Sequence, residues 1–414
     1  RPPLRFIPFR KKDIVEMCVA SGGLSGGDQM KFREFCHLLE SIFHFEYHQR
    51  LEAIKDSYAP LNPDRDTRKV GVFTEGKEDD FVGQLEDLLD KANYERLADE
   101  ELQVAFRESS LFQLNLKVDF NDFDEALLFV RGESVRTEEV KKFYGLVKRP
   151  IEFSNFDRVV IYIRFAELTG HGERIYKPGT TMLKMFQNVP KADMEMLFPN
   201  TRLGMRLVDK IVIGVPAIIG GGIILTTKLG TSLILLGALV GFYLGLHSSP
   251  VEMNQAALIG LVAGLGGLGS FVWKQFVNFK NRKLTFMQTL TESLYFKNLD
   301  NNAGVFHRLI DDAEEEECKE AILAYYFLLT QTGIANAAQL DQSVEQWFSG
   351  RWRSALNFEV EDALGKLVNL GLVIDDGEHL TIPGLETACG ILDKRWDEYF
   401  SYSVARQMED GAGS

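Results

Sequence analysis

Cysteine is scarce and scattered in this chain of 414 residues: Cys18, Cys36, Cys318 and Cys389 are its only four. No two of them stand in a C-x-x-C pair, which argues against a zinc knuckle and a disulfide framework and leaves a reducing compartment as the plain reading. The H-E-x-x-H spacing of metalloproteases is missing as well. Positive charge is in deficit, with 46 Lys plus Arg against 60 Asp plus Glu and a net charge of -14. So acidic a chain gains no general attraction to nucleic-acid phosphate or to anionic lipid. No charged-then-apolar signal segment follows Arg1, so either a targeting peptide has been removed or the chain has been trimmed.

What is present begins with helices. A basic cluster at Arg10, Lys11 and Lys12 leads into a short helical pattern that ends at Gly22 and Gly23. From Asp28, a good N-cap residue, to about Ile54, the residues Phe32, Phe35, Leu39, Ile42, Phe43 and Ile54 recur at helical spacing. Pro60 and Pro63 break the chain, and residues 81–97 form a third helical stretch. The period then changes to two. Phe112, Leu114, Leu116, Val118 and Phe120 alternate with polar residues, and strand-like runs at 126–131, 151–153, 158–165 and 181–186 extend this into an antiparallel sheet.

A Gly-rich apolar block at 211–273 follows, flanked by Arg202, Arg206 and Lys210 on one side and by Lys274, Lys280, Arg282 and Lys283 on the other. It divides into segments 211–226, 231–246 and 256–273, each about 24 to 27 Å long as a helix, against a hydrocarbon core of about 30 Å. With Lys228 and Glu252 as the only charged interruptions, the block reads as membrane-embedded, with two or three spans. Gly237, Gly241 and Gly245 recur four apart, as do Ala256, Gly260 and Gly264, forming ridges that let helix backbones approach closely in lipid. Beyond the block, residues 298–304 read as a turn and the acidic run Glu314 to Glu317 as a helix start suited to the positive end of the helix dipole. Helices at about 338–348 and 358–370 and a hairpin around Asp375-Asp376-Gly377 complete the winged-helix order.

Several stretches carry a family resemblance: FIPFRKKDI at 6–14, FDEALLFVRG at 123–132, FQNVPKADMEMLFP at 186–199, LYFKNLDNNAGVF at 294–306 and EECKEAILAYYFL at 316–328. Together they resemble the transmembrane protein 143 family over nearly the whole chain, and most closely its photosynthetic members. The resemblance implies an integral membrane location, in a plastid, a mitochondrion or a bacterial inner membrane. It also implies a shared domain of no known function, and it supplies no mechanism.

Four motifs invite chemistry, and each has a plainer reading. Residues 264–269 match G-x-G-x-x-G, but no strand precedes them and no acidic residue follows at the right distance, so close helix packing explains them better. Residues 23–27 match G-x-S-x-G after a helical pattern, where a nucleophile elbow needs a strand. His37, His44 and His48 share one helix face with Ser41. They are the weak candidates for a metal, although the stripe spans about 16 Å and His44 with His48 supply at most two ligands. Asp300, Asn301 and Asn302 resemble calcium ligands loosely, and a capping turn is the default. In the winged-helix part, Glu359, Glu361 and Asp362 on the third helix oppose DNA and suit a protein partner.

The expected fold class is therefore α+β, with N-terminal helices plus an antiparallel sheet, a central membrane-embedded helical block and a C-terminal winged-helix-like domain. The expected parts are 1–110 helical, 111–200 β-rich, 201–275 the apolar block, 276–310 a connecting helix and turn, 311–402 winged-helix-like and 403–414 a flexible tail. The expected function is a membrane-anchored interaction or assembly component without a catalytic site or cofactor. Its expected partners are membrane lipid and either proteins or further copies of the chain, with no nucleic acid. Alternatives are a transport component built on Gly237, Gly241, Gly245, Gly260 and Gly264, and a hydrolase or metalloenzyme on the histidine stripe.

Overall fold

The computed structural model describes residues 3–64, 81–98, 115–142, 147–166, 179–204, 237, 240–245, 255–377 and 379–400. In chain order the elements begin α1 (Lys11–Ala20), α2 (Gly26–Tyr58), α3 (Phe81–Lys91), β1 (Glu95–Arg96), β2 (Asn115–Lys117), β3 (Phe123–Lys142) and β4 (Val147–Phe165). They continue β5 (Thr181–Pro190), β6 (Arg202–Gly204), α4 (Gln255–Lys297), β7 (Asn298–Asn301) and α5 (Ala303–Thr330). The last are α6 (Ala337–Trp352), α7 (Val360–Asn369), β8 (Ile374–Asp375), β9 (Leu380–Thr381) and α8 (Leu385–Glu398). The chain divides into two compact units, one of residues 1–107, 120–194 and 297–414 and the other of residues 108–119 and 195–296.

In the larger unit the helical spacing of α2 puts Phe32, Phe35, Leu39, Ile42, Phe43 and Ile54 inward. Its N-cap is Ser25 rather than Asp28. The Asp28 amide donates to Ser25 Oγ at 3.3 Å and the Ser25 hydroxyl donates to the Asp28 carboxylate at 2.6 Å, so this serine is used as a cap. The third helix stops at Lys91, short of the expected 97, because Asn93 takes a left-handed conformation (φ 58°) that turns the chain into β1.

The sheet is five-stranded and antiparallel in the order β1-β3-β4-β5-β7. Leu127 lies opposite Tyr162 and Phe129 opposite Val160, while Tyr162 and Val160 in turn face Leu183 and Met185. All six are buried in one core with the helices, as period-two alternation requires. The expected turn at 298–304 is instead an edge strand, β7, followed by a sharp bend. Asn302 (φ 49°) makes that bend, its amide donating to Leu183 O at 2.7 Å and its Oδ1 accepting from the Tyr58 hydroxyl at 3.0 Å.

The next helix, α5, starts at Ala303, so the run Glu314 to Glu317 lies about three turns inside it rather than at its start. Helices α5, α6 and α7, the β8–β9 hairpin and α8 follow in the order helix, helix, helix, hairpin, helix. Their buried residues, including Tyr325, Phe348 and Leu364, share a single core with Ile14, Phe32 and Leu85 from α1 to α3. Residues 311–400 and the N-terminal helices thus bury their apolar faces together, with α5 packed against α1, α2 and α3 and with α8 against α2.

The smaller unit contains the β2–β6 pair and most of α4. Of the strand expected at 112–120, the described residues hold Asn115–Lys117 as strand and a 3-10 turn at Phe120–Asp122; residues 112–114 lie outside the described residues. Among the described residues no helix is long and apolar enough to cross a membrane. This corrects the expected membrane-embedded block, and with it the integral-membrane function and location. The physical reason is visible in α4. The stretch 256–273 is not a separate segment there: it runs without a break into Lys274, Lys280, Arg282 and Lys283 within one helix of 43 residues. Residues 211–226, most of 231–246 and the tail at 403–414 lie outside the described residues.

Candidate functional site

Helix α5 is buried over most of its length, yet it carries Glu316, Glu317, Lys319 and Glu320 in the buried stretch. Burying an ionised group costs several kcal/mol unless partners replace water, and here each finds partners from distant parts of the chain. Glu316, 1 % exposed, accepts from Arg131 at 2.7 Å, from Lys319 at 2.8 Å and from the Ile7 amide at 2.9 Å. The Lys319 ammonium donates in turn to the carbonyls of Ile7 at 2.8 Å and Phe9 at 3.1 Å. Arg131 also pairs with Asp312 at 3.2 Å and lies 4.6 Å from the centre of the Phe6 ring. Residues 6 to 9 therefore form a strap clamped across α5 by both its charge and its backbone.

On a second side of α5 the Lys366 ammonium sits among three carboxylates, 2.7 Å from Glu320, 2.8 Å from Asp362 and 3.1 Å from Glu317. Burial alone would lower this ammonium, but Glu320, Glu317 and Asp362 together hold it above the usual lysine range. Burial pushes the Glu317 carboxyl up to about 7, with Lys366 opposing the rise. It also raises Glu320, which accepts from the Asn93 side chain at 2.9 Å. Although Lys366 and Lys91 stand 3.1 and 3.6 Å away, Glu317 Oε1 has no hydrogen bond of good geometry to either.

The third feature is a groove of about 610 Å³. Helix α2 contributes His37, Glu40, Ser41, His44, Phe45 and His48, while Lys11, Glu314 and Trp396 complete it. Lys11 bridges Glu40 at 2.8 Å and Glu314 at 3.2 Å, and His44 Nδ1 lies 3.0 Å from the other Glu314 oxygen. Phe45 forms an aromatic cluster with Trp396, Tyr399 and Phe400 at ring separations of 5.9, 4.7 and 5.4 Å. Trp396 remains 41 % exposed, so the cluster presents apolar surface to the groove.

The structure thus brings His37, His44 and His48 to one groove and adds Lys11, Glu40, Glu314 and Trp396, which the helical stripe alone did not reveal. Among the described residues no group of three or more His, Cys, Asp or Glu side chains is placed to hold a metal ion. Of the acidic trio, Glu359 pairs with Arg5 at 2.7 Å and Asp362 with Lys366, while Glu361 is exposed. At Gly237, Gly241 and Gly245 an added Cβ would meet nothing within 4 Å, and Gly260 and Gly264 fall within α4. Cys18, Cys36 and Cys318 are buried and unbonded.

The signal for the α5 cluster lay in the resemblance motifs. Phe6 to Lys11, Arg131 and Glu316 to Glu320 come from three of those stretches and meet around one helix. No solved structure matches the chain. Over residues 156–304, from within β4 to the first turn of α5 and outside the groove, the chain matches the family described as protein of unknown function (DUF3754).

Proposed function

We propose that this chain is an interaction and assembly component without catalytic chemistry of its own, and that its groove receives a basic segment of a protein partner. The observation that supports this reading is the groove's composition. The aromatic rings of Phe45 and Trp396 line the groove beside Glu40 and Glu314, whose charges are already engaged in a Lys11-centred network rather than poised for proton transfer. A volume of about 610 Å³ accommodates a few side chains of a partner. The net charge of -14 steers basic partners toward it, and Glu361 adds an exposed carboxylate on α7. The sequence kinship with the transmembrane protein 143 family, photosynthetic members included, belongs to this reading and supplies no activity.

The test uses the full chain with a photo-crosslinking amino acid in place of Phe45, followed by mass spectrometry of the adducts. One dominant adduct, mapped to a Lys- or Arg-rich segment and lost on Trp396→Ala, is expected. No adduct, adducts indifferent to Trp396, or adducts on acidic segments would overturn the reading. A dominant adduct with a second copy of the chain would replace the heterologous partner by self-assembly.

A further inference from the structure

The groove also holds two imidazoles that the partner reading does not use. His44 and His48 lie one turn apart on α2, so their rings project from the same helix face, and both line the groove. His44 Nδ1 stands 3.0 Å from Glu314 Oε2. An ionised carboxylate can only accept, so Nδ1 donates to Glu314, and in the neutral ring Nε2, on the side away from Glu314, is the nitrogen with a lone pair for a ligand. Glu314 is itself anchored: its side chain is 12 % exposed, and its other oxygen is 3.2 Å from Lys11, which Glu40 holds at 2.8 Å.

A carboxylate bound to the far nitrogen of an imidazole fixes the ring and raises its basicity, the arrangement that accompanies metal-ligating histidines. We propose that His44 and His48 form a two-imidazole site for a divalent transition-metal ion such as nickel, copper or zinc, with Glu314 as a positioning residue. The remaining coordination positions fall to water. Among the described residues no group of three His, Cys, Asp or Glu side chains is placed to hold an ion, and Glu40 and Glu314 are paired with Lys11, so the ion binds exchangeably rather than as a structural centre. His37 lies about 10 Å further along the helix axis from His44, out of reach of the same ion. The Ser41 hydroxyl, between them, donates to the His37 carbonyl at 2.8 Å.

This inference stands apart from the partner reading, because the ion is titrated into the isolated full chain. After dialysis against chelator, Ni²⁺ or Cu²⁺ is added in a calorimeter, and the Cu²⁺ form is examined by electron paramagnetic resonance. One ion per chain with two imidazole nitrogens is expected. His44→Ala and His48→Ala should each abolish that binding, and His37→Ala should leave it unchanged. Glu314→Gln should weaken binding by about tenfold or more while keeping both nitrogens in the spectrum. His44 and His48 are exposed, so their variants are expected to melt with the parent. The proposal is overturned by an absence of binding, by binding that survives the double change His44→Ala with His48→Ala, or by His37→Ala proving as damaging as His48→Ala.

Discussion

Replacing Glu317 by glutamine tests the charge balance inside α5. In the folded chain burial holds the Glu317 proton up to about pH 7, whereas the ordinary carboxyl of the unfolded chain releases it near 4.5. Between those values the folded state binds more protons than the unfolded one, so stability falls as pH rises through that window. The full difference corresponds to about 3 kcal/mol, an upper figure because Glu320 and Lys366 titrate as part of the same cluster. Glutamine has no charge to bury, and its amide can donate to the neighbouring Asp362 carboxylate. Glu317→Gln is therefore expected to match the parent near pH 4, below the unfolded value, and to exceed it at pH 8 by up to about 3 kcal/mol. Urea unfolding followed by tryptophan fluorescence at the two pH values measures this. If the variant is less stable than the parent at pH 8, the ionised carboxylate is a net stabilising partner of Lys366 and the reasoning fails.

Lys319→Met leaves Glu316 without one counter-charge and frees the carbonyls of Ile7 and Phe9; a loss of about 3 to 5 kcal/mol is expected in the same urea assay. Gly132→Ala places a methyl group 2.6 Å from Asp157 Oδ2 at a φ of +70°, and is expected to cost at least about 1 kcal/mol, read as a lower melting temperature. Thiol labelling of the folded chain should reach Cys389 first. Cys18, Cys36 and Cys318 are buried, and burial pushes the Cys318 thiol up to about 12, so they should react only after denaturation.

How much of this was legible in the sequence depends on which residues carried the pattern. Helix α2 was readable because Phe32 to Ile54 repeat at the helical period, and β3 to β5 because their inward residues alternate. The edge strand β7 was not readable. Its residues Asn298 to Asn301 have turn composition, and only their pairing with Lys184, Met185 and Phe186 makes them a strand. The apolar block reads as a set of separate membrane segments from residue type alone, whereas its last stretch is the start of one long helix that continues into basic residues, and among the described residues no helix is long and apolar enough to cross a membrane. The acidic run at 314–317 suggested a helix start, since charge in a helix is normally solvated. Its true partners, Ile7, Lys11, Arg131 and Lys366, are distant in sequence, and no local pattern points to them. In the groove the stripe of His37, His44 and His48 was visible on α2, but Glu314 and Trp396 arrive from other helices.

The strap at residues 6 to 9 also sets an order of events during synthesis. Its anchors, Glu316 and Lys319, are separated from Ile7 by 309 and 312 positions. A ribosome adding about 5 to 20 residues per second takes many seconds to bridge such a gap. Throughout that interval Phe6, Ile7 and Phe9 have no α5 to close upon, and α1 and α2 lack the helix that covers their apolar faces. The chain therefore assembles its larger unit late and all at once rather than from its first residues onward. A nascent chain arrested before residue 303 should bind hydrophobic-segment chaperones and be cut readily by protease, and one extended beyond α8, past residue 400, should not.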